Sequence, residues 1–340
     1  MQLSDYSFDL PESLIAQHPA ERRDASRLLM LDRKTGRISH HSFQELPALL
    51  ASGDLLVLND TRVFPARLIG SKPTGGRIEV LLLRQREEQL WECLVRPARR
   101  CPAGTRLIFQ AGVLEAEIAD AGDPSRRLIH FLGPSSLWDV VDQLGRMPLP
   151  PYIRRDSGAL DPLDRERYQT VFARVPGSVA APTAGLHFTP ELLAALDYRL
   201  ITLHVGYGTF QPIHSEEVEN HRMEREAFHV SEETARAIRD RRATGGRVVA
   251  VGTTTARTLE SVALQSGEVT PGHGETDLYI YPGFQFQVAD GLVTNFHLPR
   301  STLLLLVCAF AGREPVLAAY QEAIREGYRF YSYGDAMLIL

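Results

Sequence analysis

Short apolar runs, separated by polar or glycine-containing turns, predict that strands and helices alternate along most of the chain. The runs at 55–58 and 247–251 are continuous, which is typical of strands buried on both faces of a sheet. The run at 303–310 is wholly apolar and follows a hydroxyl residue suited to an N-cap, so it predicts a buried helix. We therefore expect an α/β fold with a layered main domain.

The pattern changes between residues 63 and 133. Short β-rich runs recur there, with glycine, proline or aspartate in the turns between them, at 66–69, 77–83, 91–95, 106–109, 113–118 and 127–131. No helical periodicity interrupts these runs, and strands at such spacing indicate a small barrel or sandwich. We expect an inserted all-β barrel domain at 63–133, and an α/β main domain that carries the catalysis at 1–62 and 134–340.

Polar residues directly flank many of the predicted buried elements. Such segments lie at 59–62, 183–187, 204–209, 252–255, 295–297 and 332–335. Because the carboxyl ends of parallel strands share one edge of a sheet, we expect these segments to converge on a crevice. Each segment also has an ordinary interpretation, such as a turn, a capped helix or, for His204, a core histidine. For 59–62, which follows a fully apolar strand, the pattern favours the site. Together they favour a binding site.

The segment 183–187 is part of the stretch V-A-A-P-T-A-G-L-H-F-T-P-E-L-L at 179–193. Its small residues and proline predict a tight loop, and Thr189 followed by Pro190 predicts a helix start. Thr183 and His187 would then lie near free backbone N–H groups that suit a polar or anionic ligand. The competing interpretation is a well-capped helix beside an unrelated histidine.

Composition and motifs restrict the chemistry. The chain has 340 residues, a net charge of −5 and three cysteines, none in a C-x-x-C pair, so we expect a reducing compartment and no disulfide or zinc framework. The sequence contains no zinc-protease, P-loop, dinucleotide-binding or serine-hydrolase motif, which argues against metal catalysis and serine hydrolysis. It also lacks a signal-peptide pattern and a membrane-length apolar run, which predicts a cytoplasmic protein without membrane contact. Acid–base chemistry on a sugar-like or nucleotide-like substrate fits what remains.

The polar segments resemble the S-adenosylmethionine:tRNA ribosyltransferase-isomerase family of queuosine biosynthesis. The matching blocks are L-V-L-N-D-T-R-V at 56–63, G-R-M-P-L-P-P-Y-I at 145–153, Y-Q-T-V-F-A at 168–173, P-G-S-V-A-A-P-T-A-G-L-H-F-T at 176–189, L-H-V-G-Y-G-T-F at 203–210, V-G-T-T-T-A-R-T-L-E at 251–260, T-N-F-H-L-P-R-S-T-L-L-L-L-V at 294–307 and S-Y-G-D-A-M-L-I-L at 332–340. The blocks extend along the whole chain, and the β-rich insertion matches least. One block departs from the family pattern E-D-H-x-M-H-x-E: residues 219–226 read E-N-H-R-M-E-R-E, so Glu224 replaces a histidine and receives no role.

The resemblance implies that S-adenosylmethionine donates its ribosyl group, and not its methyl group. The acceptor would be 7-aminomethyl-7-deazaguanine at the wobble position of tRNA, and the product would be epoxyqueuosine, with adenine and methionine released. S-adenosylmethionine is then a co-substrate, and no cofactor is expected. We further expect a monomer. Proton transfers in such a reaction call for groups poised near neutral pH, as histidine is.

The resemblance and the loop positions together suggest roles for individual residues. His187 is the candidate base, with His297 as its competitor. Asp60 or Asp335 would protonate adenine or hold its amino group, and Arg62 would anchor the methionine carboxylate through a bidentate contact. The candidate substrate pocket also includes Thr183, Gly185, His204, Gly206, Gly208, Thr253, Thr254, Asn295 and Ser332. The glycines among them would permit positive φ or close approach of the ligand.

The net negative charge leaves tRNA binding to a local basic groove with aromatic partners. Arg154, Arg155 and Tyr152, or the arginines of the β-rich domain, would supply it. Two alternatives stay open. One is an RNA-independent enzyme that acts on a small sugar or nucleotide, and the other is a non-catalytic RNA-binding module whose β-rich domain does the recognition.

Overall fold

A computed structural model describes residues 1–120, 126–133, 137–155, 162–213 and 215–340. Contacts divide the chain into two units, of which the first comprises Met1–Arg62, Pro151–Arg155 and Gln169–Leu340 and the second comprises Val63–Pro150 and Asp156–Tyr168. The contacts therefore group residues 137–150 with the second unit, whereas the sequence pattern assigns them to the main domain.

The two units consist of the following elements in chain order. The strands are β1 Arg27–Leu31, β2 Ile38–Ser42, β3 Leu55–Asn59, β4 Thr61–Val63, β5 Arg67–Ser71, β6 Arg77–Gln85, β7 Leu90–Arg96, β8 Arg106–Phe109, β9 Leu114–Asp120, β10 Arg127–Leu132, β11 Val175–Ser178, β12 Tyr198–Leu203, β13 Glu226–Val230, β14 Val248–Val251, β15 Gly272–Thr276, β16 Gly291–Asn295 and β17 Ala336–Ile339. The α-helices are α1 Leu46–Leu49, α2 Leu137–Leu144, α3 Pro162–Arg167, α4 Pro190–Ala194, α5 Glu232–Ala243, α6 Thr253–Ser266, α7 Thr302–Ala311 and α8 Arg313–Arg325. The sequence pattern predicts a helix over 135–144, and the first two residues of that range lie outside the described residues.

One large mixed sheet forms the first unit. Its described strands run in the order β15-β13-β12-β3-β14-β16-β17-β1-β2. Strands β12, β3, β14 and β16 are parallel, so they all end at the same edge. Strand β17 is antiparallel to β16 and parallel to β1, which brings the starts of β17 and β1 to that edge as well. We name this edge, with the residues that directly adjoin it, the polar edge.

The sheet has two apolar faces because successive side chains of each strand point to opposite sides. On the helix face, Leu292 packs with the cluster that contains α7 and α8, and Val248 packs with residues of α5 and α6. On the loop face, Val249 and Val293 pack with the cluster that contains α1, α4 and the segment before α4. The polar edge is therefore approached by different elements on its two sides.

Helices α7 and α8 contain much of the apolar core of the helix face. Leu304, Leu305 and Val307 are fully buried there, as the apolar run at 303–310 predicts. Among the described residues, no single helix is long and apolar enough to cross a membrane. Only α7 and α8 taken as a pair meet that length and composition, and they are bent by 115° relative to each other.

Most predicted elements of the large sheet are confirmed, including the buried strand at 55–58, which is β3. The sequence pattern also predicts a strand over 276–281, and this prediction is wrong, because β15 ends at Thr276 and the chain then leaves the sheet. Its sequence G-H-G-E-T has weak intrinsic strand propensity, and its position is set by pairing with β13 from Glu226 to Val230. Pairing partners of this kind are invisible in a local pattern.

A closed barrel dominates the second unit. Within the described part of the chain its strands follow the order β10-β7-β6-β5-β8-β9, and every neighbouring pair is antiparallel. All the predicted β-rich runs coincide with these strands, so the expected fold class, α/β with an all-β barrel, is confirmed. Alternate residues such as Val80, Leu107 and Ile129 are fully buried, which is the pattern that fills the interior of a small barrel.

Candidate active site

The polar edge brings together the polar segments that the sequence singled out. Segments 59–62, 204–209, 252–255 and 295–297 follow β3, β12, β14 and β16, and segment 332–335 precedes β17. Segment 183–187 is a 3₁₀ turn that reaches the edge through a contact between His187 and Asn295. The expected convergence is present, but the side chains are divided between the loop face and the helix face.

On the loop face, Asn295, His187 and Ser26 form a chain of hydrogen bonds. The Asn295 amide Nδ2 donates to the Tyr331 carbonyl and to His187 Nε2, both at 3.2 Å. With Nε2 accepting, the imidazole proton belongs on Nδ1, which donates to Ser26 Oγ at 2.7 Å. Ser26 Oγ then donates to the carbonyl of Arg23 at 3.3 Å. The tautomer of His187 is fixed by its neighbours.

His187 is held neutral in this chain of bonds. Burial, together with the positive charges of Arg329 and Arg23, lowers the pKa of His187 from 6.5 to about 3. Both ring nitrogens are already engaged, so a proton can be accepted only after the bond from Asn295 is given up. These contacts support a role in orienting Asn295, while the assignment of His187 as the base stays a prediction.

The amide oxygen of Asn295 differs from the other polar atoms in this chain of hydrogen bonds, because it has no partner among the described residues. Asn295 is 1% exposed, so this oxygen, Oδ1, is buried. The orientation of the amide is fixed, because the Tyr331 carbonyl accepts only from an N–H group. A buried unpaired acceptor costs about 1–3 kcal/mol, and native structures rarely leave one without a reason.

Tyr331, which holds the Asn295 amide, has a strained backbone. Its φ is +72°, in a region that bulky side chains seldom adopt. Its N–H donates to the Phe296 carbonyl at 3.0 Å, and its carbonyl accepts from Gly334 as well as from Asn295. Strain of this kind concentrates at functional sites. The unpaired Asn295 oxygen and the strained turn at Tyr331 together make this part of the loop face a candidate ligand site.

His297, the competing base, lies on the helix face. Its Nε2 is hydrogen-bonded to Thr294 Oγ1 at 2.7 Å, and its backbone N–H donates to the Tyr320 hydroxyl at 3.0 Å. Burial lowers its pKa to about 3. Thr294 shares the side of β16 with Leu292, whereas Asn295 shares the side with Val293, so His187 and His297 do not face the same space.

Asp60 is fully engaged at the end of β3. Arg174 donates to its Oδ2 from Nε and Nη2 at 3.0 and 2.8 Å, and Thr202 Oγ1 donates to its Oδ1 at 2.6 Å. The Arg174 side chain is 65% exposed, whereas the carboxylate is buried. His204 lies beside it, with Nδ1 hydrogen-bonded to Thr61 Oγ1 at 2.8 Å, and burial lowers the pKa of His204 although Asp60 opposes this shift.

Asp335 organises the turn that contains Tyr331. Its Oδ1 accepts from the Arg27 backbone N–H at 3.0 Å and from Arg329 Nη2 at 3.3 Å, and its Oδ2 accepts from the Arg329 N–H at 2.8 Å. Ser332 Oγ is hydrogen-bonded to the Tyr152 hydroxyl at 2.6 Å. Both predicted residues thus shape the turn, and no carboxylate oxygen of Asp335 is without a donor.

A buried ion pair, to which the sequence pattern gives no role, supports the segment after β12. Glu226 Oε1 accepts from the Gly206 N–H at 2.8 Å, and its Oε2 accepts from Arg257 Nη1 at 2.5 Å. Arg257 Nη2 has no partner in the described part of the chain. A signal for the pair is present in the sequence, because Arg257 lies in the first turns of the helix after G-T-T-T, and Glu226 is the last residue of the block E-N-H-R-M-E-R-E.

Two of the candidate glycines, Gly185 and Gly208, are closely approached by neighbouring side chains. A Cβ on Gly208 would come within 3.0 Å of Glu224 Cδ, and one on Gly185 would lie 2.8 Å from the side chains of Phe172 and Thr170. Gly185, Gly206 and Gly208 are not among the residues with positive φ, so of the two expected reasons for these glycines, positive φ or close approach of a ligand, the first does not apply. Close approach of side chains accounts for Gly185 and, through Glu224, for Gly208, whereas a Cβ on Gly206 would meet nothing nearer than 3.7 Å.

The remaining candidates lie at or near the polar edge. Thr254 Oγ1 accepts from Asn59 Nδ2 at 3.3 Å, and Thr253 is the first residue of α6. Thr183 begins the 3₁₀ turn and is partly exposed. Arg62 is exposed between two buried residues of β4, so it points away from the side on which Thr61 meets His204. No cluster of three or more metal-ligating side chains occurs in the residues that the structure describes.

The chain is similar to known proteins over nearly its whole length. A family model described as "Queuosine biosynthesis protein" matches residues 3–339. The chain is 52% identical to the S-adenosylmethionine:tRNA ribosyltransferase-isomerase of Desulfitobacterium hafniense and 53% identical to that of Pelobacter propionicus, over 100% of both chains in each case. The crystal structure of S-adenosylmethionine tRNA ribosyltransferase from Thermotoga maritima is 41% identical, with a TM-score of 0.56, and the match covers 99% of this chain and 100% of that one.

Proposed function

The chain belongs to the queuosine biosynthesis protein family, and we propose that it is a tRNA ribosyltransferase-isomerase. It transfers the ribosyl moiety of S-adenosylmethionine to 7-aminomethyl-7-deazaguanine at the wobble position of tRNA and isomerises it. The product is epoxyqueuosine-tRNA, and adenine and methionine leave. The observation that carries this proposal is the identity of about 52%, over the full length, with enzymes named for this activity. Nothing favours the RNA-independent alternative.

Within this proposal, Asn295 binds the ribosyl donor. Its Oδ1 is an acceptor with fixed direction, and S-adenosylmethionine offers N–H donors on the adenine 6-amino group. Because the oxygen is closed off in this structure, the substrate reaches it when a neighbouring segment rearranges. The strained turn at Tyr331 is the segment suited to do so. His187 and Ser26 keep the amide oriented throughout.

The two faces of the polar edge then have different tasks. On the loop face, the Asn295 network orients the adenine, and Thr183 lines the same region. On the helix face, the Glu226–Arg257 pair fixes Gly206, and Arg257 Nη2 remains available for the methionine carboxylate, a role that the sequence pattern suggests for Arg62. Asp60 and Asp335 hold the surrounding backbone and side chains. That His187 accepts a proton in the reaction stays a prediction.

Adenine release tests the proposed function. Wild-type protein is incubated with S-adenosylmethionine and one of three partners: tRNA that carries 7-aminomethyl-7-deazaguanine at the wobble position, the same tRNA with guanine there, or no RNA. We expect adenine and methionine in equal amounts only with the first. Release at the same rate without RNA would establish the RNA-independent alternative, and binding of tRNA without any release would establish a non-catalytic RNA-binding module.

The remaining expectations are part of the same proposal. The protein works as a monomer in the cytoplasm, where its tRNA substrate is, and it needs no resident cofactor because S-adenosylmethionine is consumed. Its three cysteines are free and buried, as a reducing compartment permits. Sedimentation at the concentration used for the activity assay tests the monomer, and a dimer as the active species would contradict it.

A further inference from the structure

One end of the β-barrel carries a group of basic residues. Strands β5 and β7 end there, and β6 and β8 begin there, because β5 and β6 pair from Ser71↔Arg77 and β6 and β7 pair from Glu79↔Arg96. The basic residues at this end, which we name the cation end, are Lys72, Arg77, Arg96, Arg99, Arg100 and Arg106. They come from four strand termini and one 3₁₀ turn, so the fold gathers charges that are up to 34 positions apart in the sequence.

The charges of the cation end are only partly screened within the described residues, where Glu79 and Glu117 lie opposite Arg96 and Arg106 on neighbouring strands. None of its members forms an ion pair there, and the one side-chain hydrogen bond is from Lys72 Nζ to the Arg100 carbonyl at 3.2 Å. All the arginines are exposed, and Lys72 is half-buried. The carboxylates on the adjoining strands are Glu79, Glu117 and Asp120. Glu79 already accepts from Arg67 at 3.0 Å.

The opposite end of the same barrel is different. The turn between β6 and β7 contains Arg86, Glu87 and Glu88, and β9 begins beside Glu115. Arg86 is ion-paired with Glu92. Arg126 also contacts Glu92, but it precedes β10, whose start lies on the cation-end side because β10 is antiparallel to β7. Cations at this end are balanced by carboxylates. The contrast shows that the unpaired arginines belong to one end of the barrel and do not reflect an arginine-rich unit as a whole.

We propose that the cation end binds the phosphate backbone of the tRNA substrate. This inference rests on the proposed function for the identity of the RNA. Unpaired arginines are complementary to a polyanion, and their guanidinium groups suit phosphate oxygens. The chain as a whole has a net charge of −5 and therefore repels RNA at long range, so binding needs a local basic surface such as this one. The barrel thereby contributes affinity for tRNA, while the polar edge performs the chemistry.

The test compares charge-neutralising variants in tRNA binding and in turnover. Arg99→Gln/Arg100→Gln removes two charges from an exposed 3₁₀ turn, where surface substitutions seldom disturb folding. We expect the Kd for an unmodified tRNA transcript to rise by about tenfold near physiological salt. The slope of log Kd against log salt should become shallower by about two, because each arginine removed leaves one phosphate without its cation. The kcat at saturating modified tRNA and the KM for S-adenosylmethionine should stay at wild-type values.

Two further variants make the outcome decisive. Arg84→Gln/Arg236→Gln changes the net charge equally, at the opposite end of the barrel and on α5, and should leave the Kd and the salt slope unchanged. Arg77→Gln/Arg106→Gln removes two other members of the cation end and should reproduce the first variant if that one proves unstable. A wild-type Kd and slope in both cation-end variants would overturn the inference, as would an equal loss in the control pair. Tighter binding to anionic lipid vesicles than to tRNA would overturn it as well.

The proposed function can fail separately from this inference. If wild-type protein releases no adenine with modified tRNA but the cation-end variants still lose binding, the activity is wrong and the RNA-binding surface stands. If wild-type protein is active and the variants bind tRNA normally, the activity stands and the inference is wrong.

Discussion

The two buried histidines of the polar edge, His187 and His297, are alike in burial and different in surroundings. Burial lowers the pKa of each to about 3, so both are neutral at physiological pH. His297 is bonded to Thr294 and Tyr320 within a core where these groups satisfy one another. His187 is bonded to Ser26 and to Asn295, whose own oxygen is left without a partner among the described residues.

The difference shows that a perturbed histidine is a weak guide to function by itself. What separates the two is the neighbour that remains unsatisfied, because a buried acceptor without a donor is costly unless something else binds it. By that criterion the loop face at Asn295 is the proposed adenine-binding side, and the helix face at His297 is core. Substitutions of Asn295, His187, His297 and Thr294 test this distinction.

Asn295→Ala should have the largest effect. It removes the unpaired acceptor and the donor to His187 together, and we expect kcat/KM for adenine release to fall by about a hundredfold. A ribosyl donor that lacks the 6-amino group should react poorly with wild type and lose little more with the variant. If the variant discriminates between the two donors as strongly as wild type does, Asn295 does not bind the amino group.

His187→Gln should lower kcat by about tenfold, since glutamine can still accept a hydrogen bond from Asn295. The profile of kcat/KM against pH should keep its shape above pH 5, because the pKa of His187 lies near 3. His187→Ala, which offers no acceptor, should be far less active. If His187 is the base, both variants lose activity alike and the profile loses a limb.

Stability against acid should respond equally to both histidines. The pKa of each histidine is lower in the folded than in the unfolded protein, so the unfolded chain binds more protons between about pH 6 and 3. The free energy of unfolding therefore decreases as the pH falls through that window. Each contributes a slope of about 1.4 kcal/mol per pH unit to the free energy of unfolding. We expect His187→Gln and His297→Gln each to remove one such slope in urea unfolding. An unchanged slope would show that the histidine is protonated in the folded protein.

Thr294→Val should have the smallest effect. It removes the hydrogen bond to His297 on the helix face at nearly constant volume, and we expect a loss of about 1 kcal/mol in the free energy of unfolding. Adenine release should remain within about twofold of wild type. Thr294 and Asn295 are adjacent in the sequence, so this variant is the matched control for Asn295→Ala. A comparable loss of activity would contradict the division between the two faces.

The sequence predicts the fold well wherever an apolar run decides it. The strand β3, the helix α7 and every barrel strand follow from local patterns, because burial of such runs is required in any arrangement. The strand β15 does not, since its glycines and histidine carry little propensity and its pairing with β13 defines it.

The candidate site is predicted in its location but not in its connections. Convergence at the carboxyl edge follows from parallel strands, whereas the partners of Asp60 and Asp335 depend on register and on the face each side chain occupies. The sequence cannot indicate that Arg174 and Thr202 already donate hydrogen bonds to the Asp60 carboxylate. Nor can it indicate that Thr294 and Asn295, one position apart, serve opposite faces.

The position of β1 between β2 and β17 has a consequence for how the protein is made. The backbone N–H of Arg27, its first residue, donates to Asp335, which lies 308 positions later in the sequence. Tyr331, which accepts from Asn295, belongs to the same late segment. During synthesis β1 therefore stays unpaired on its β17 side until β17 has been translated. The whole barrel is translated before that point and is free to close. Contacts of such long sequence separation form slowly. A ribosome-bound chain would assemble the arginines of the cation end well before it completes the candidate ligand site.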